Sequence, residues 1–243
     1  MITVLRKLLL FLLLAAVLSC NCDHRALTIH KVQPNPIINE SPSLLRPAVP
    51  QRLVEYNVVV YNLNRANCGG TVVSASSSGI FVLTAAHCVI NRQDQTIMPY
   101  GFISFNGDDK YRVTAIAVSR KNDLALLMTT DTTPLKLVAP LASSPPKVGD
   151  FVWIIGYGAR VEDIISHGTV AKENVASYHN TETRWLLVNG SIYYGNSGGG
   201  VFNSKGELVG VIVENGPQHP VWGLWASAVH LDTVRQFLDH YLP

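Results

Sequence analysis

Three short strings carry side chains able to do nucleophilic chemistry. "YYGNSGGGVF", Tyr193 to Phe202, sets Ser197 among four glycines between two apolar runs. Alone, it reads equally as a turn that needs positive φ. "VLTAAHCV", Val82 to Val89, closes an apolar strand with two alanines and His87. The imidazole therefore emerges from a small-residue base at a strand end, where a neutral ring can act as a base near pH 7. Such a base needs a carboxylate to hold its tautomer. "RKNDLALLM", Arg120 to Met128, offers Asp123 at the mouth of an apolar run. An unpaired charge is costly to bury there, and a hydrogen bond to an imidazole would satisfy it; for an isolated aspartate a turn-capping role serves as well. The other seven histidines stand in polar contexts that suit surface or satisfied-core roles. Hydroxyl, imidazole and carboxylate together would suit attack on an electrophilic carbon, with the hydroxyl proton taken by the ring.

The elements that must position these groups are β-rich. From Leu53 onward the runs "VEYNVVVYNL", "GGTVVSA", "GIFVLTAA", "YGFISF", "YRVTAIAVS", "LALLM", "DFVWIIGYG", "ISHGTVA", "TRWLLVN", "GVFN", "LVGVIVEN" and "VWGLWASAV" follow at close intervals, most of them separated by turn residues. "FNGDDKY" places an Asn-Gly hairpin signal between Phe105 and Tyr111, which accounts for Asp108 and Asp109 without chemistry. This spacing predicts an all-β sandwich or barrel. One helix is predicted, Leu231 to Leu242, with Asp232 as its cap and Val234, Phe237, Leu238 and Tyr241 on one face.

The N-terminus reads as an export signal over residues 1–19: Arg6 and Lys7, an apolar run from Leu8 to Leu18, then small or polar residues. That run is short of the roughly 20 residues a bilayer crossing needs. "VLSC" also resembles a lipobox with lipidation at Cys20, and plain cleavage stands beside it as an alternative. Residues 20–52 hold Pro34, Pro36, Pro42, Pro47 and Pro50 with little apolar periodicity, the composition of a semi-rigid tether, with a propeptide as the other reading. Loss of the signal removes two of the 19 Lys and Arg and none of the 17 Asp and Glu, so the exported chain is nominally neutral. No basic cluster remains to bind a phosphate backbone, which argues against a nucleic-acid partner; a membrane would be met only through an N-terminal lipid. Secretion or residence in the periplasm follows, with a lipid-anchored form as the variant.

With Cys20 and Cys22 at the signal, Cys68 and Cys88 remain in the domain and suggest one disulfide. Zinc is a poor alternative, because Cys68, His87 and Cys88 lack the paired short spacings of structural sites. The bond would fasten the segment bearing His87.

"TAAHC", "NDLALL" and "GNSGG", in that order, resemble trypsin-like serine proteases. "CGGTVVSASSSGIFVLTAAHC" is similar to the first barrel of that family, and "VGDFVWIIGYG", "ISHGTVA", "ELVGVIVENG" and "GLWASAV" to the second, nearer the compact bacterial HtrA-like branch than the digestive enzymes. The resemblance runs from about Leu53 to Pro243 and leaves no room for a PDZ domain. It implies two six-stranded antiparallel β-barrels, about 53–140 and 141–243, packed together and followed by the C-terminal helix. It implies a serine endopeptidase acting on protein or peptide substrates through an acyl-enzyme, with Ser197 as nucleophile, His87 as base, and Asp123 as the acid that orients it. The oxyanion hole falls on the turn Gly195, Asn196 and Ser197, with the N–H groups of Gly195 and Ser197 as donors. Asn196 replaces the aspartate that pairs with a freed N-terminus in trypsin-like zymogens, so the turn is expected to need no such cleavage. Ser191 falls at the base of the primary pocket and Val213, Glu214, Asn215 and Gly216 on its edge strand. A small or medium apolar P1 residue is expected; an extra residue in the edge strand leaves its register open, and with it a role for Glu214 in admitting a basic residue. No metal or organic cofactor is implied. The alternative is an exported binding module on the same fold with a silent site.

Overall fold

The computed structural model describes residues 49–50, 52–62, 67–91, 93–105, 109–131, 137–158, 161, 163–176, 183–215 and 225–242. The export signal, Cys20, most of the tether, the Asn-Gly hairpin signal at Asn106 and Gly107, and Gly216 lie outside them.

Twelve strands form two closed antiparallel barrels. The first contains β1 (Asn57–Tyr61), β2 (Asn67–Ser76), β3 (Gly79–Thr84), β4 (Gly101–Ser104), β5 (Tyr111–Ser119) and β6 (Leu124–Thr129). The second contains β7 (Phe151–Gly156), β8 (Ile164–Ala176), β9 (Arg184–Gly190), β10 (Gly200–Phe202), β11 (Leu208–Asn215) and β12 (Ala226–His230). Around the first barrel the order is β1-β2-β3-β6-β5-β4; around the second, β7-β8-β9-β12-β11-β10. Adding six to each number of the first order gives the second. Closure removes free sheet edges, and the interior of each barrel fills with the β-branched and leucine side chains that the runs supply. Val152, Ile154, Val188, Val201 and Ile212 lie inside the second; Val58, Val82, Leu83, Ile103 and Leu126 belong to the core that includes the first.

Two local expectations are corrected. Leu53–Tyr56 forms a single helical turn, α1, rather than the start of the first strand. The Leu53 N–H donates to the Pro50 carbonyl at 3.1 Å, and the three-residue spacing buries Leu53 and Tyr56 together, Tyr56 stacking on Phe202 with ring centres 5.9 Å apart. The C-terminal helix, α2 (Leu231–Tyr241), buries Leu231, Val234, Phe237 and Leu238 but leaves Tyr241 exposed. Each such burial contributes about 1.5–3 kcal/mol. Its cap is His230, whose Nδ1 accepts the Asp232 N–H, while Asp232 sits in the first turn, where its charge complements the helix dipole.

The barrel geometry brings the strand ends of interest together. β3 and β6 are neighbours, with Thr84 opposite Ala125. His87, three residues past the end of β3, and Asp123, one residue before β6, therefore emerge at the same end of the first barrel. Ser197 lies on the connection from β9 to β10 in the second.

Candidate active site

His87 sits in a 3₁₀ turn, Ala86–Cys88, closed by bonds from the Cys88 N–H to the Ala85 carbonyl and from the Val89 N–H to the Ala86 carbonyl. Ala85 and Ala86 are fully buried, so the turn is seated against the barrel while the ring stays partly exposed. Asp123 holds this residue at two points. Its Oδ2 accepts the His87 Nδ1–H at 2.8 Å and its Oδ1 accepts the His87 backbone N–H at 2.9 Å. In the neutral ring this places the proton on Nδ1 and the lone pair on Nε2. Asp123 adopts φ +50, a left-handed conformation that costs a non-glycine residue about 1–2 kcal/mol.

Cys68 and Cys88 are joined, with an S–S distance of 2.08 Å. Their sulfurs and a ring nitrogen of His87 lie within 4.8 Å of one another, but two sulfurs bonded together offer no thiolate to a metal. The bond ties the His87 turn to β2, next to Gly69.

The Ser197 turn is clasped between the barrels. The Ser197 carbonyl accepts the Gly69 N–H at 2.8 Å from the first barrel, and the following Gly198 N–H donates to the Ile212 carbonyl at 2.6 Å in the second. A side chain at Gly198, φ +83, would meet Thr84 Oγ1 at 2.2 Å and the Gly69 carbonyl at 2.3 Å. Before the serine, the Asn196 N–H closes a turn onto the Tyr193 carbonyl at 3.1 Å, with Gly195 at φ +101 in its third position, where a type II turn demands positive φ. A Cβ on Gly195 would stand 2.0 Å from the Tyr157 carbonyl. Among the described residues no acceptor takes the N–H of Gly195 or of Ser197. Asn196, grouped with them from the sequence, has its N–H spent in the turn; its buried side chain packs against Gly158, and its Oδ1 has no hydrogen-bond partner.

The Ser197 Oγ–H donates to the Val213 carbonyl at 3.2 Å rather than to His87. Val213 reaches this place through a bulge: Ile212 pairs with Ala228 and Glu214 with Ser227, so β11 carries one residue more than β12 at Val213. β10 pairs with β11 only as far as Val211. Beyond it, Ile212 bonds to Gly198 and Gly199, and the Glu214 and Asn215 backbone has no strand partner on the Ser197 side among the described residues.

Ser191 is not brought into this cleft. It is exposed, its carbonyl accepts the Ser166 hydroxyl at 2.7 Å, and it lines an open groove of about 390 Å³ with Phe151, His167, Gly168, Thr169, Asn189 and Gly190. The next residue, Ile192, turns inward against the second-barrel core. The long pairing of β9 with β8, through Gly190 opposite Gly168, carries Ser191 to the β8 side.

Sequence reasoning missed Thr183 and His230. The Thr183 hydroxyl reaches from the head of β9 to the turn before Asp123, a contact across 61 and 62 residues that no local pattern announces. His230 is buried, and burial lowers its pKa below the ordinary imidazole value, with Arg184 adding to this and Asp232 and Glu173 opposing it.

Comparison with known proteins agrees with this architecture. Residues 68–211, more than half of the chain, match the model of the trypsin-like peptidase domain. Serine endoprotease DegS of Escherichia coli K12 is 28% identical over 182 residues, covering 71% of this chain and 49% of DegS. Mouse serine protease HTRA4 is 25% identical over 180 residues, 70% of this chain and 35% of its own. The chain thus spans about half, or less, of the length of these curated relatives. Among solved structures, the inactive form of the Ser343Ala mutant of Mycobacterium tuberculosis Rv3671c superposes with a TM-score of 0.64 at 18% identity, over 85% of this chain and 96% of that one. The serine endoprotease of Yersinia pestis gives 0.62 at 21% identity, over 79% and 64%. At such identities these two speak for the fold alone. The chain belongs to the trypsin-like peptidase domain family.

Proposed function

We propose that the chain is a serine endopeptidase in which Ser197, His87 and Asp123 act as the triad. The observation that carries the reading is the double grip of Asp123 on His87, which in the neutral ring leaves Nε2 as the free base. The reading requires the Ser197 hydroxyl to leave the Val213 carbonyl and bond to Nε2. Oγ then attacks the substrate carbonyl carbon and its proton passes to Nε2. The tetrahedral oxyanion takes the open N–H groups of Gly195 and Ser197. Collapse expels the amine, which receives the proton from Nε2, and leaves an ester on Ser197. Water, deprotonated by the same ring, hydrolyses that ester and restores the serine.

Protein or peptide substrates would enter as a strand along the side of β11 away from β12, at Glu214 and Asn215, where no strand pairs among the described residues. We propose a small or medium apolar P1 residue, in keeping with the apolar side chains on either side of the Ser197 turn in sequence. The protein would do this work after export, in the envelope or the medium. Mass-spectrometric mapping of cuts in a proteome-derived peptide mixture tests the reading. Wild-type protein should cut after apolar residues and Ser197→Ala should not cut. Cleavage mainly after Lys or Arg would overturn the P1 proposal, and equal cutting by both proteins would overturn the nucleophile.

One observation favours a second reading, a silent binding module: the Ser197 hydroxyl is bonded to Val213 and not to His87. Under that reading, neither protein cuts any peptide.

A further inference from the structure

The turn that presents Asp123 is held partly from the other barrel. Thr183, the residue before β9, is buried and places Oγ1 3.0 Å from the Lys121 carbonyl oxygen and 3.0 Å from Asn122 Oδ1, so that its one proton serves both acceptors. These are the two residues immediately before Asp123. Within the first barrel, the Asn122 N–H donates to Ser119 Oγ over a longer 3.3 Å. Asp123 itself keeps φ +50, which a non-glycine residue sustains only where its surroundings over-determine it.

We propose that Thr183 is a positioning residue for the Asp123–His87 pair: its hydroxyl fixes the turn whose left-handed residue aims the carboxylate. Both bonds to His87 come from that one carboxylate, so a small rotation of the turn loosens the tautomer-setting bond and the backbone bond together. The other end of β9 runs through Gly190 to the Tyr193–Asn196 turn and Ser197. One strand therefore touches the acid's turn at its head and carries the serine's turn at its tail. The inference rests on the endopeptidase reading for its kinetic consequence, while its geometric content stands apart from it.

The test compares Thr183→Val, which keeps shape and removes the hydroxyl, with Thr183→Ser, which keeps the hydroxyl. For acylation by a peptide ester, Thr183→Val should lower kcat by about 10- to 100-fold, as misplacement by a fraction of an ångström does, with KM changed less than about twofold. Thr183→Ser should restore most of the rate. Independently of turnover, the low-field proton resonance of the His87 Nδ1–H···Asp123 bond should be sharp in wild type and Thr183→Ser, and broadened by solvent exchange in Thr183→Val. Should Thr183→Val not fold, Thr183→Ala carries the same expectations. Wild-type kcat in the folded valine variant, a loss that serine does not rescue, or an unchanged resonance would overturn the proposal. If wild type shows no activity, the endopeptidase reading fails, and the resonance alone still decides the role of Thr183.

Discussion

Asp123 binds His87 through both carboxylate oxygens, one on the ring Nδ1–H at 2.8 Å and one on the backbone N–H at 2.9 Å. The first bond sets which ring nitrogen carries the proton; the second stops the whole residue from drifting on its short turn. Asp123→Asn keeps the shape but presents an amide that cannot accept at both oxygen positions. One bond is lost or the ring tautomer reverses, either of which removes the base. Acylation should fall by about 10²- to 10⁴-fold, the share a positioned base contributes. Stopped-flow acylation by a nitrophenyl ester measures it, and a loss under about threefold would contradict the role.

Gly195→Ala tests the donor turn. The added Cβ would sit 2.0 Å from the Tyr157 carbonyl at a φ that disfavours alanine, so the peptide must move. Displacing one oxyanion donor should lower kcat by ~10²- to 10³-fold, with a smaller effect on KM. Steady-state kinetics on the folded variant supply the comparison.

Removal of the Cys68–Cys88 bond should weaken the fold and the site together. The bond closes a span of 20 residues, for which chain entropy predicts about 3 kcal/mol. In urea, the protein under reducing conditions should unfold at a clearly lower midpoint. Below that midpoint its activity should already fall, because the His87 turn has lost its tie to β2.

His230 gives the stability a pH dependence. Its folded-state pKa lies below the ordinary value of 6.5, chiefly through burial. The unfolded chain therefore binds more protons as the pH falls below 6.5, and the stability contributed by the neutral, capping imidazole is present above that pH and lost as the pH falls through the folded-state value. Denaturation midpoints measured from pH 8 downward should drop in that window. His230→Asn, which caps without titrating, should flatten the drop; an unchanged profile would assign the dependence to other groups.

The sequence carried the strands well because each is a β-branched or leucine-rich run between turn residues. β5 and β11 match their runs residue for residue. The two six-stranded barrels were reached through resemblance, and the order of strands around each came only with the structure, since closure depends on pairings between distant segments. His87 and Asp123 drew attention as polar residues at the end and mouth of apolar runs, while Ser197 alone read as a turn residue; the three were joined as a candidate triad through resemblance. The bulge at Val213, and with it a carbonyl aimed at the Ser197 hydroxyl, needed the pairing with β12. Ser191, expected at the pocket base, sits exposed at the end of β9 beside β8, a placement that spacing along the chain does not reveal. Thr183 and His230 looked like an ordinary strand-head threonine and one histidine among eight, since burial and contacts across some 60 residues leave no mark on local pattern.

The central claim, a Ser197 hydroxyl activated by His87, is tested most directly by a fluorophosphonate that reacts with activated serines. Peptide mapping of the intact protein after exposure should find one adduct, on Ser197, absent from Ser197→Ala and slowed by about 10²-fold or more in His87→Ala. A Ser197 that stays unmodified, or one that reacts equally fast without the imidazole, would contradict the account.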